Sequence, residues 1–148
     1  MAIPELNPDG LLPEEIHDST LGEAQARFGG FQGSDRRPQL WAKLGDFLRD
    51  VQACRLVEGV LVDGSFVTGR PDPNDIDLIL VVPAAHDFFA DLRPLEYNVL
   101  SKRRVSQRYR FDVLVARAGS EEYRRYVAFF QQVPFEPEKK KGIIRLGL

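Results

Sequence analysis

Two short apolar runs rich in β-branched residues, 57–62 and 75–82, are separated by Asp63-Gly64-Ser65 and the loop Thr68-Gly69-Arg70-Pro71-Asp72-Pro73-Asn74. Such runs, bounded by Gly, Pro, Asp and Asn, predict buried strands, because branched side chains suit the pleat and the bounding residues favour turns. A third run, 110–116, contains Phe111-Asp112-Val113-Leu114-Val115. A chain with three such runs must build a sheet, and helical periodicity around them decides what covers it. Leu40, Trp41, Leu44, Phe47, Leu48 and Val51 fall on one face of a 3.6-residue period, which predicts a packing helix over 38–54. Shorter helices are expected over 21–28, capped by Thr20 with Glu23 and stopped by Gly29-Gly30, over 94–105 behind Pro94, and over 121–132 behind Ser120. The expected fold class is α+β, a small mixed β-sheet backed by helices.

With 148 residues, 43% hydrophobic and 28% charged, the chain has enough apolar side chains for one core and is neither a disordered tail nor a coiled coil. The proline-rich first stretch reads as an extended arm over 1–19, anchored by Ile3, Leu6, Leu11, Leu12 and Ile16, leaving a single domain over 20–148. No apolar stretch has the ~18 residues a membrane span needs, and the N-terminus lacks a signal-like region. Cys54 has no disulfide partner, and with only His17 and His86 beside it no zinc site arises; the expected setting is a reducing cytoplasm. Charge is uneven. Residues 1–92 carry 7 Lys/Arg against 16 Asp/Glu (−9), residues 93–148 carry 13 against 6 (+7). Such a split suits cations at one region and phosphates or an acidic partner at the other.

The chemistry concentrates around the first two strands. Two residues apart on a strand, Asp75 and Asp77 would project from one face and repel each other unless a cation sits between them; hard carboxylate oxygens suit Mg²⁺ or Mn²⁺. Asp112 interrupts an apolar strand, and if that strand pairs beside the Asp75 strand, three carboxylates meet. Gly64 permits close backbone approach, and Ser65 offers a hydroxyl and N–H groups to anionic oxygens, with 66–68 expected as a one-turn helix. An acidic metal pair facing a phosphate cradle is the layout of phosphoryl or nucleotidyl transfer.

This arrangement resembles the nucleotidyltransferase superfamily that includes DNA polymerase β: a strand ending in Gly64-Ser65, then Asp75-Ile76-Asp77, then Asp112 on a later strand. It looks most like the minimal nucleotidyltransferases, small proteins often encoded as antitoxins beside HEPN-type toxins. The resemblance implies a polymerase β-like fold in which Asp75, Asp77 and Asp112 hold divalent ions and catalyse transfer, Asp112 helping to deprotonate the attacking hydroxyl. Gly64 and Ser65 would hold the outer phosphates of ATP or another nucleoside triphosphate, with Arg70 in reach of a phosphate. In the antitoxin-like case AMP would pass to a tyrosine of the cognate toxin. Asp63 departs from the family pattern, which commonly has an apolar or aromatic residue there; pointing inward, it would repel a triphosphate.

Lys102, Arg103, Arg104 and Arg108 read either as a solvated helix end favoured by the helix dipole or as a contact for RNA phosphates, triphosphate or an acidic partner. Arg36 and Arg37 are expected to decorate the start of the packing helix, and Lys139-Lys140-Lys141 to be a solvated end. The alternatives to a protein-modifying enzyme are a non-catalytic antitoxin or interaction module on the same fold, and a tRNA or small-molecule nucleotidyltransferase, with a toxin as one form of it.

Overall fold

The computed structural model describes residues 3–30 and 32–148; the first two residues of the expected arm lie outside them. Seven strands appear among the described residues: β1 (Ile16–Ser19), β2 (Gly59–Asp63), β3 (Asp77–Val82), β4 (Asp112–Arg117), β5 (Gln132–Val133), β6 (Glu136–Lys140) and β7 (Ile143–Leu146). The helices are α1 (Leu21–Ala24), which continues into a wider turn over Gln25–Gly29, α2 (Arg36–Cys54), α3 (Pro94–Leu100), α4 (Lys102–Tyr109) and α5 (Glu121–Phe130). The main sheet has the order β1-β7-β2-β3-β4, with β1/β7 and β3/β4 parallel and the pairs β7/β2 and β2/β3 antiparallel. The α+β class and the mixed sheet are therefore as expected. Among the described residues no helix is long and apolar enough to cross a membrane.

Alternation along the strands divides the core. Val60, Val62, Leu78, Leu80, Val113, Ile144 and Leu146 face α2, α3 and α4, where they meet Leu44, Phe47, Val51, Val99 and Val105. Leu61, Ile79, Ala116 and Ile143 face the other way and are covered by α5 through Phe130, Tyr123, Tyr126 and Val127. Thr20 and Glu23 form the expected capping box, Thr20 Oγ1 accepting from Glu23 N at 3.0 Å and Glu23 Oε1 from Thr20 N at 3.1 Å. The helix expected over 94–105 is two helices. Ser101 leaves the helical region (φ −79°, ψ 110°), ends α3, and caps α4 by accepting from Arg104 N.

Both ends of the chain depart from expectation. Ile3 and Leu12 are buried in the core, as expected of anchors, but residues 16–19, expected as part of the extended arm, form the edge strand β1. The expected solvated end is instead a hairpin strand followed by β7, which lies inside the sheet between β1 and β2. Gly142 makes that insertion possible: a Cβ there would stand 2.0 Å from the carbonyl oxygen of Pro13.

Candidate functional site

The strand register sets the site. Asp77 on β3 pairs with Asp63 on β2 and with Asp112 on β4, so the three carboxylates cross three neighbouring strands in one row. Paired positions point to the same side of a sheet. They share the α5 face, because Leu61, Ile79 and Leu114, each two residues away in the same strand, lie in that cluster. Asp77 is half-buried, Asp63 buried and Asp112 exposed.

Asp75, expected two rungs from Asp77 on one strand, precedes β3 instead. Its Oδ1 accepts from Ser65 N at 2.9 Å and from Ser65 Oγ. Ser65 Oγ in turn accepts from Asn74 N at 2.9 Å and Asp75 N at 3.2 Å. Gly64 leads into this turn with φ +94°, and a Cβ there would stand 2.8 Å from the Asp75 carbonyl oxygen. Only glycine lets the two chain segments approach so closely. The expected one-turn helix is a 3₁₀ turn over Ser65–Val67, closed by Thr68 Oγ1 donating to Ser65 O at 2.6 Å. Its N–H and hydroxyl donors hold an oxyanion, at present the side chain of Asp75.

Two arginines organise the loop between these elements, against the expectation that they merely decorate α2. Arg37 is fully buried, donating to the carbonyl oxygens of Phe28 (3.2 Å), Phe66 (2.7 Å), Thr68 (2.7 Å) and Arg70 (2.7 Å), and packing its guanidinium over the rings of Phe28 and Phe66. Burial lowers its pKa from the ordinary arginine value. Arg36 donates to the carbonyls of Pro73 (2.9 Å) and Asn74 (3.0 Å). Both reach across the turn because they occupy the first turn of α2; nothing in the local sequence distinguishes such arginines from solvated ones.

The electrostatics are unbalanced toward the acidic side. Burial, then the neighbouring charges of Asp75, Asp63 and Asp112, push the Asp77 carboxyl up to about 6. Burial also raises Asp63, and Lys141 opposes that rise: its Nζ lies 2.9 Å from Asp63 Oδ1 and 3.2 Å from Oδ2. The carboxylate expected to repel a triphosphate is thus neutralised from within the chain. Among the described residues no three His, Cys, Asp or Glu side chains are gathered closely enough to hold a metal ion between them, since Asp75 is turned to Ser65 and Asp63 to Lys141.

A cavity of about 720 Å³ opens over this rim. Its lining combines Asp63, Ser65, Asp75 and Asp77 with apolar side chains that include Phe129 and Phe135, and with Arg70, Lys140 and Lys141. Asp112 lies outside this lining, one strand further along the row. The basic run is elsewhere. Lys102, Arg103 and Arg104 occupy the first turn of α4, whose Val105 and Tyr109 pack on the opposite face of the sheet from the carboxylates. That is the helix end where the dipole opposes cations, so the expected dipole benefit applies only to Arg108 in the last turn.

The fold and site define a small mixed α+β protein with an acidic sheet rim beside an anion-holding turn. Residues 4–147 match the family described as Family of unknown function (DUF6932), and the chain belongs to that family. No curated protein and no solved structure matches it.

Proposed function

We propose that this protein is a metal-dependent nucleotidyltransferase that moves a nucleoside monophosphate, AMP from ATP, onto a hydroxyl of a partner macromolecule. The observation that carries the reading is the register of Asp77 against Asp112, one loop away from a turn whose donors already donate to a carboxylate oxygen. The donor chemistry suits Mg²⁺ or Mn²⁺, since the oxygens are hard and the row is acidic, burial first and then its neighbouring carboxylates pushing Asp77 up to about 6; the three carboxylates would gather only once Asp75 leaves Ser65. Asp75, Asp77 and Asp112 would hold the cations, which when bound stabilise charge on the entering and leaving oxygens.

The chain's own groups do the rest. The Ser65 N–H and hydroxyl donate to the outer phosphates in place of Asp75, and Gly64 leaves the backbone bare for their approach. Arg70 offers a further positive charge from the cavity wall. The acceptor hydroxyl forms a bond to the α-phosphorus, the bond to pyrophosphate breaks with its electron pair, and Asp112 takes the hydroxyl proton. In the antitoxin-like form of the reading the acceptor is a tyrosine of a HEPN-like toxin, an assignment that rests on the resemblance alone.

Incubation with Mg²⁺ and ATP labelled at the α-phosphate, with a neighbouring gene product or total RNA, tests this. Label on the protein, lost in Asp77→Ala, is expected; label on RNA replaces the protein-acceptor version, and no transfer at all removes the enzyme. A second reading, an interaction module that neutralises its partner by binding alone, is favoured by the commitment of Asp75 to Ser65. Protection that survives in Asp75→Ala and Asp77→Ala selects it.

A further inference from the structure

Besides the carboxylates, the cavity is lined by apolar side chains from the end of α5 and the β5–β6 turn, and neither a metal ion nor a phosphate has use for them. Among them Phe135 stands out. It and Pro134 form the two-residue turn between β5 and β6, and its φ is +65°, a conformation that glycine or asparagine ordinarily supplies at the second position of such a turn. Its ring is fully exposed. A bulky side chain in a left-handed backbone costs about 1 kcal/mol, and this ring recovers nothing by packing. Phe129, at the end of α5, is also largely exposed and lines the same cavity. Conformational strain retained at a ligand-sized cavity points to a role in binding.

We propose that Phe135, with Phe129, is the platform on which the planar base of the nucleotide stacks while its phosphates lie on the Ser65 turn. The inference rests on the nucleotidyl-transfer reading above and deepens it. The cavity lining then supplies both halves of a nucleotide site: donors and a cation for phosphate at Ser65 and Arg70, and aromatic faces for a ring at Phe129 and Phe135. Stacking on a flat hydrocarbon face tolerates any base, so this wall binds nucleotides as a class.

Calorimetric titration of the whole protein with Mg²⁺·ATP and with Mg²⁺·tripolyphosphate separates the two halves. Wild type binds ATP more tightly than tripolyphosphate. Phe135→Gly weakens ATP about tenfold or more, leaves tripolyphosphate unchanged, and melts at the same or a higher temperature because glycine relieves the positive φ; Phe135→Tyr retains ATP. Unchanged ATP affinity in Phe135→Gly overturns the platform and assigns the ring to contact with a macromolecule, while the nucleotide reading stands. Equal affinity of wild type for the two ligands likewise overturns the platform alone. Failure of wild type to bind either ligand overturns the nucleotide reading, and the platform with it.

Discussion

Lys141 Nζ lies 2.9 Å from Asp63 Oδ1, so the segment that enters β7 neutralises the last carboxylate of β2. Both side chains are nearly excluded from water, at 12% and 5% exposure. Removing one partner of such a pair leaves an uncompensated buried charge. Lys141→Met is expected to lose about 3 kcal/mol in urea denaturation at pH 7.5, and the double variant Lys141→Met/Asp63→Asn to recover most of it. The loss shrinks at low pH, because burial already raises the Asp63 carboxyl and, without Lys141, the group is protonated sooner.

Arg37 joins four carbonyl oxygens from two segments, three of them in the loop that carries the Ser65 turn. Lysine lacks the planar fork and cannot satisfy that geometry. Arg37→Lys should cost about 2–4 kcal/mol by chemical denaturation, with amide exchange rising first in 65–75. Retained stability and unchanged exchange in that loop would show that the guanidinium does not hold it.

Asp77 works against the fold that contains it. Its carboxyl sits at about 6 against the ordinary 3.8, so the folded state binds the proton more tightly than the unfolded chain does. The resulting cost is absent below about pH 4, grows as the pH rises through 6, and is complete above it. Asp77→Asn is therefore expected to be more stable than wild type at pH 7.5 by about 1–2 kcal/mol, after allowance for solvent screening at a half-open rim. The two proteins should converge near pH 4. Thermal melts across that range, without added divalent cations, read the difference.

Gly64 and Gly119 both have positive φ, but only Gly64 is crowded, a Cβ there meeting the Asp75 carbonyl oxygen at 2.8 Å while one at Gly119 meets nothing within 4 Å. Gly119→Ala isolates the backbone cost, about 1 kcal/mol. Gly64→Ala should cost at least 1 kcal/mol more in the same denaturation series and detach Asp75 from Ser65. Equal losses at the two positions would show that the close approach carries no weight.

The carboxylates were legible because strand pairing follows from β-branched runs, and a lone aspartate in such a run has to face something. Asp112 and Asp77 come together for that reason. The placement of Asp75 was not legible as a rung, since its side chain is captured by a turn ten residues earlier and the ladder starts only at Asp77. Nor was the role of Arg37, which is set by carbonyls distant in sequence. Ile16-His17-Asp18-Ser19 carries no alternation of its own and becomes a strand only because β7 lies beside it. The apolar 143–146 was visible as a hydrophobic patch, but its neighbours on both sides come from far earlier in the chain.

The placement of β7 between β1 and β2 has a consequence for biosynthesis. A nascent polypeptide emerging from the ribosome can pair β2 with β3 early, but it cannot join the edge strand to that hairpin until residue 146 is free of the exit tunnel. Until then the flank of β2 that will receive β7 is an open row of amides and carbonyls, available to chaperones or to a neighbouring nascent chain.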